Sequence, residues 1–229
     1  MNSQIIQAKL NAVKEALKYI KDGMILGLGS GSTVELLIEN LDKKIKQEKL
    51  EIHLIPASSQ TYFSLVNRGI KPESLDLYDE VDLTIDGADE VDERKYALKG
   101  RGGALLREKI LSSYSKTYII IVDYTKYSKI IGEKASVCIE VIPFAATPVL
   151  KRIKKMCEKA HIRYGERLKD GPIVTDNHNY IIDAYFGKIE NPENLSNEIN
   201  KISGVVENGI FLENISKIIV GYEKDVKII

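Results

Sequence analysis

Ile6, Leu10, Val13, Leu17 and Ile20 recur at alternating spacings of four and three, which predicts an amphipathic helix that Asp22-Gly23 stops. The apolar run 24–28 then reads as a strand, 27–33 as a glycine-rich turn, and Val34, Leu37, Ile38 and Leu41 resume helical spacing. The same strand–turn–helix unit recurs from 53–55 through Ala57-Ser58-Ser59 into a helix that passes Leu65 and ends near Arg68-Gly69. Runs 81–85 and 118–122 are further apolar strands, with a helix over about 105–113 between them. Strands that alternate with helices through short connections predict a parallel, Rossmann-like sheet covered on both faces. Ligands of such sheets gather at the carboxyl ends of the strands. The polar clusters 29–33, Ser58-Ser59, 86–90 and 123–126 fall at those ends.

After Ile131 the rhythm changes to strand (137–142), helix (148–159), strand (162–167), a hairpin turning at Asp176-Asn177-His178-Asn179, a helix (about 192–202) and a strand near Val205. Thr147 before Pro148 reads as an N-cap with proline at the first helical position. This βαββαβ order predicts a smaller α+β module of the ferredoxin-like kind. Residues 218–220 are apolar enough to return to the first domain, so the expected division is 1–131 with 208–229, and 132–207.

Composition adds exclusions. Apolar residues make up 44% and charged residues 29% of the 229, as in ordinary globular chains. Thirty-three basic residues balance thirty-three acidic ones, so no overall field favours nucleic acid or an anionic membrane. Cys138 and Cys157 are too few for a disulfide framework or a zinc site and point to a reducing compartment, and no apolar run spans a bilayer. A cytoplasmic protein is expected.

The segment Gly27-Leu28-Gly29-Ser30-Gly31-Ser32-Thr33 has the character of a phosphate cradle: glycines let the backbone approach an anion, and the next helix offers N–H groups and its positive dipole end. It lacks the lysine of a nucleoside triphosphate loop, since Ser32 stands there, and the third glycine of a dinucleotide fingerprint. A small phosphomonoester fits better, although such a turn alone also fits a plain strand–helix connection. The segment IDGADE crowds Asp86, Asp89 and Glu90 behind an apolar strand, which calls for a cation, a proton or a hydroxyl-rich ligand. A magnesium-dependent phosphatase would need an aspartate at position 84, where threonine stands. Lys99-Gly100-Arg101-Gly102-Gly103-Ala104 offers a lysine beside backbone N–H groups, an arrangement suited to oxyanions, and leads into a helix carrying Glu108.

Taken in order, GLGSGST, IDGADE and KGRGGALLREK resemble three signature blocks of the type A ribose-5-phosphate isomerases; VIPFA at 141–145 and GPIVTDNHNYIID at 171–183 are similar to that family's second-domain segments. Arg101 and His178 depart from the family pattern, each standing where glycine is common. The resemblance implies an aldose–ketose isomerase that interconverts D-ribose 5-phosphate and D-ribulose 5-phosphate through an enediolate, without cofactor or metal. It implies Glu108 as the base on the carbon-bound proton, Asp86 and Asp89 on sugar hydroxyls with one of them relaying the oxygen proton, and Lys99 with the N–H groups of Gly100, Arg101 and Gly102 at the enediolate oxygen. Gly87 and Ala88 complete the acidic corner. The phosphate is expected on Ser30, Gly31, Ser32 and Thr33, with Lys9 and Lys126 as charge partners. A homodimer or homotetramer is expected by the same resemblance. A sugar-phosphate-sensing module on this fold, or an acyltransferase needing a coenzyme A pocket, are the rival readings; a sensor would dispense with the base, whereas Glu108 and Lys99 are both present.

Overall fold

Apolar strands buried on both faces need helices on both sides, and the first part of the chain supplies them. In the computed structural model, which describes residues 3–165 and 170–229, the elements run α1 (Ser3–Ala16), β1 (Ile25–Leu28), α2 (Ser32–Glu48), β2 (His53–Pro56), α3 (Ser59–Val66), β3 (Leu83–Asp86), β4 (Glu90–Val91), β5 (Ala97–Leu98), α4 (Leu105–Ser113) and β6 (Tyr118–Asp123). They continue as β7 (Val137–Val141), α5 (Ala146–Ile153), β8 (Lys159–Ile162), β9 (Tyr180–Tyr185), α6 (Pro192–Asn200), β10 (Val205–Asn208), β11 (Ile210–Phe211), β12 (Ile215–Gly221) and β13 (Val226–Ile228).

The chain forms two units. The first (Met1–Ala88, Arg107–Tyr127 and Glu213–Ile229) holds a six-stranded sheet in the order β13-β12-β6-β3-β1-β2. All its pairings are parallel except that of β13 on β12, so the Rossmann-like expectation holds and 218–220 does return as part of a strand, β12. α1 lies on β6 and β12 with Ala8, Ala12, Val13 and Ala16 buried, while Ile6 and Leu10 are only partly covered. The buried stripe is thus turned toward the alanines, whose small side chains let the helix approach the sheet, and Lys9 comes with them.

The second unit (Asp89–Leu106 and Ser128–Leu212) contains a four-stranded antiparallel sheet in the order β10-β7-β9-β8. With α5 and α6 this is the ferredoxin-like βαββαβ arrangement. A small sheet β11-β5-β4 also belongs to it. Relative to the expected division at 131 and 207, residues 89–106 group here, because β4 and β5 pair with each other and with β11.

Two element expectations are corrected. α5 starts at Ala146, after a 3-10 turn opened by Pro143, and not at Pro148 behind a Thr147 cap; proline is tolerated at 148 because the first helical N–H groups have no intrahelical acceptor. The helix ends at Ile153 instead of 159, so β8 comes earlier than the strand expected over 162–167; residues 166 and 167 of that strand lie outside the described residues. The hairpin turn at 176–179 is present, with His178 in the left-handed region at φ 64°. Among the described residues no helix is long and apolar enough to cross a membrane.

Candidate active site

In the first unit the strand order reverses at β1, because β2 lies on one side of it and β3 on the other. Connections that leave neighbouring strands in opposite directions open a crevice at the carboxyl edge, and there the turn after β1 meets the end of β3. Gly29 N–H donates to Ile85 O at 3.0 Å. A Cβ at Gly29 would overlap the Asp86 carboxylate, so only glycine lets this acid lie against the turn. Asp86 is fully buried and accepts from Ser30 N at 3.2 Å and Gly87 N at 2.6 Å on one oxygen, and from Tyr118 OH at 3.2 Å on the other. Burial first, then the negative charges of Asp86 and Glu108, hold the Tyr118 phenol well above its ordinary pKa, so it stays a donor.

Glu108 sits in the first turn of α4, only 4% exposed, and its Oε1 accepts from Ser30 Oγ at 2.5 Å. Ser30 therefore ties both acids to the glycine turn, one through its backbone and one through its hydroxyl. The turn is braced from α3, where Thr61 Oγ1 donates to Gly29 O at 2.5 Å and Gln60 Oε1 accepts from Gly31 N at 3.3 Å. Gly31 caps α2 with φ 95°, a conformation that favours glycine, and so Ser32 and Thr33 open the helix. Lys9 Nζ donates to Ser32 Oγ at 2.8 Å, which places an ammonium at the helix start. Burial lowers the Lys9 pKa; Asp123 opposes that and Lys126 adds to it. Lys126 ends a 3-10 turn whose cap, Asp123, accepts from Thr125 N at 3.0 Å.

The other expected residues belong to the second unit. Asp89 Oδ2 accepts from Arg101 N at 2.9 Å. Buried Lys99 donates its backbone N–H to Gly209 O at 2.9 Å and holds its ammonium 5.4 Å from the centre of the Phe211 ring. Gly103 N closes a turn on Gly100 O at 2.9 Å, and the Arg101 side chain is exposed. Glu90 corrects the expectation of a three-acid corner: its carboxylate accepts from the backbone N–H groups of Gly132 at 3.0 Å, Lys134 at 3.2 Å and Ala135 at 2.9 Å. Among the described residues no group of three or more His, Cys, Asp or Glu is placed to hold a metal ion.

Residues 53–225 match the family model of ribose 5-phosphate isomerase A (phosphoriboisomerase A). The chain belongs to the ribose 5-phosphate isomerase A family. Its curated relatives in that family include the ribose-5-phosphate isomerase A of Archaeoglobus fulgidus, 48% identical over 225 residues that cover 96% of this chain and 97% of the relative. The solved ribose 5-phosphate isomerase A of Methanocaldococcus jannaschii superposes with a TM-score of 0.92 at 41% identity, covering 98% of both chains. A solved D-ribose-5-phosphate isomerase in complex with phospho-erythronic acid gives a TM-score of 0.95 at 41% identity, covering 100% of this chain and 99% of the other.

Four residues of this ribose 5-phosphate isomerase A chain that hold the motifs in place were not foreseen: Gln60, Thr61, Tyr118 and Arg163, the last described below. Only Tyr118 left a trace in the sequence, as the single hydroxyl in the apolar run 118–122, since a buried tyrosine needs a partner for its OH.

Proposed function

We propose that this chain interconverts D-ribose 5-phosphate and D-ribulose 5-phosphate through an enediolate, as a soluble cytoplasmic enzyme. The isomerisation moves one proton between adjacent carbons and one between their oxygens, so reactant and product share one oxidation level and a base, an oxyanion donor and a phosphate grip suffice. Glu108 takes the proton from C2 of the aldose and returns it to C1. Asp86 and Asp89 accept hydrogen bonds from sugar hydroxyls, and one of them relays the oxygen-bound proton. Lys99 and the N–H groups of Gly100 and Gly102 stabilise the enediolate oxygen; the Arg101 N–H, expected there as well, is instead engaged by Asp89, and Gly87 and Ala88 shape the corner. The phosphate rests on Ser30, Gly31, Ser32 and Thr33, with Lys9 and Lys126 supplying positive charge.

The observation that carries this reading is the Glu108 carboxylate, buried and bonded to the Ser30 hydroxyl of the glycine turn instead of pointing into bulk water. Phospho-erythronic acid, the ligand of the solved relative, joins a planar carboxylate to a phosphorylated polyol, which matches an enediolate in charge and shape. Ketose formation from ribose 5-phosphate, followed with and without a chelator, tests the proposal. Chelator-indifferent turnover is expected; no ketose would leave a sensor of the sugar phosphate, and chelator-sensitive turnover would bring in a metal. We also propose self-association as a homodimer or homotetramer, supported by Phe144, 99% exposed, beside half-exposed Ile142. Sedimentation of the purified chain as a monomer would refute it.

A further inference from the structure

Arg163 follows β8 in the second unit, and its guanidinium is used on every side. Nη1 donates to Gly100 O at 2.9 Å and to Arg101 O at 2.8 Å. Nε donates to Asp183 Oδ2 at 2.7 Å, Nη2 pairs with the other oxygen of Asp183, and Nη2 lies 3.0 Å from Cys138 Sγ. Burial acts to discharge the guanidinium, but Asp183 and Cys138 together outweigh it, so Arg163 is held firmly charged.

A trans peptide is planar and its C=O and N–H point in opposite directions. Drawing the Gly100 carbonyl to Arg163 therefore turns the N–H of Arg101 the other way, and it is found on Asp89 at 2.9 Å. Drawing the Arg101 carbonyl to the same nitrogen turns the N–H of Gly102 away from Arg163 in the same manner. A cation behind two carbonyls also polarises both peptides and strengthens what their N–H groups donate.

We infer that Arg163 is a positioning residue for the isomerisation, fixing two successive peptide planes of the Lys99–Gly103 loop so that one N–H orients Asp89 and the next faces the developing oxyanion. The inference rests on the reading above, in which this loop meets the enediolate. A lysine cannot replace Arg163, because a single ammonium does not offer a planar fork to two carbonyls and a carboxylate at once.

The test is steady-state kinetics of Arg163→Lys, Arg163→Ala and the double variant Arg163→Met with Asp183→Asn, which removes both charges and so avoids an orphaned buried carboxylate. In all three, kcat should fall about a hundredfold, the effect of a small misplacement of aligned groups. KM for ribose 5-phosphate should rise by no more than about threefold, far less than kcat falls, because the phosphate grip at 30–33 and the Asp86 contact are untouched and only the Asp89 contact is loosened. Affinity for phospho-erythronic acid should fall in step with kcat. Millimolar guanidinium should restore turnover to Arg163→Ala in a saturable way and leave wild type unaffected. Turnover within about twofold of wild type in the double variant, or a loss that guanidinium does not repair, overturns the positioning role. Failure of wild type to isomerise ribose 5-phosphate would instead remove the reading on which the inference rests.

Discussion

Asp86 and Glu90 stand in one hexapeptide, both fully buried, and the two units use them differently. In the first unit Asp86 accepts from the main-chain N–H groups of Ser30 and Gly87 on one oxygen and from the hydroxyl of Tyr118 on the other, and nearby Glu108 accepts from the hydroxyl of Ser30. In the second, Glu90 is surrounded by main-chain N–H groups from a single loop, and Asp92 similarly accepts from the N–H of Arg94 at 3.0 Å and from its guanidinium. A hydroxyl can rotate and give way to a substrate's hydroxyl at little cost, whereas main-chain donors are fixed by the fold. Asp86 and Glu108, each with a hydroxyl partner that can yield to substrate, are therefore disposed for chemistry, whereas Glu90 holds its loop in place.

The strongest attempt to break that distinction is Glu108→Gln, which keeps size and hydrogen bonding but removes the base. Turnover should fall ~10²–10⁴-fold with the fold intact. Near wild-type kcat would take Glu108 out of the reaction. Lys99→Ala should cost on the order of 10²–10³ in kcat if the ammonium faces the developing oxyanion; a change confined to KM would make it a ground-state contact. Thr33→Ala should raise KM for ribose 5-phosphate about tenfold, as expected for one lost bond to a charged group. An unchanged KM would count against the phosphate cradle. Glu90→Gln sets an amide group against main-chain donors and should cost about 1.5–3 kcal/mol of stability, measured by urea unfolding, while activity survives. Loss of activity at unchanged stability would place Glu90 with the chemical acids.

The smallest effect concerns Asp82, which accepts from Ile25 N at 3.0 Å and from Lys116 Nζ at 2.9 Å. The backbone bond first, and then Lys116, hold its carboxyl below the ordinary 3.8. Because the folded state binds fewer protons than the unfolded state just below that value, this stabilisation is present above pH 3.8 and is lost as the pH falls through the folded value. Asp82→Asn should be less stable than wild type at neutral pH, with the gap closing on acidification. A pH-independent gap would mean that the carboxylate's charge has no part in it.

The elements that were legible in the sequence are those whose pattern is local. The span of α4 and the start of β6 fall at the expected residues, and α3 begins at Ser59, in the Ala57-Ser58-Ser59 segment expected to lead into it. β4, β5 and β11 escaped because a two-residue strand has no periodicity to detect. β13 escaped because it exists only as an edge partner of β12. The motif residues were recognisable as types, but their supports were not: Ser30 meets Glu108 across 78 residues and Arg163 meets Gly100 across 63. Glu90 was misjudged for the same reason, since its loop lies more than forty positions ahead.

The strand order also governs how the chain is assembled during synthesis. β6 needs β12 as its second neighbour, yet the whole of the four-stranded sheet, from Val137 to Asn208, is translated between them. That sheet can close on the ribosome while β6, apolar from Ile119 to Val122, still waits for residues 215–221 to emerge. An unpaired edge of this kind is what templates aggregation, so slowed elongation late in the message should lower the yield of soluble chain more than slowed elongation early in it.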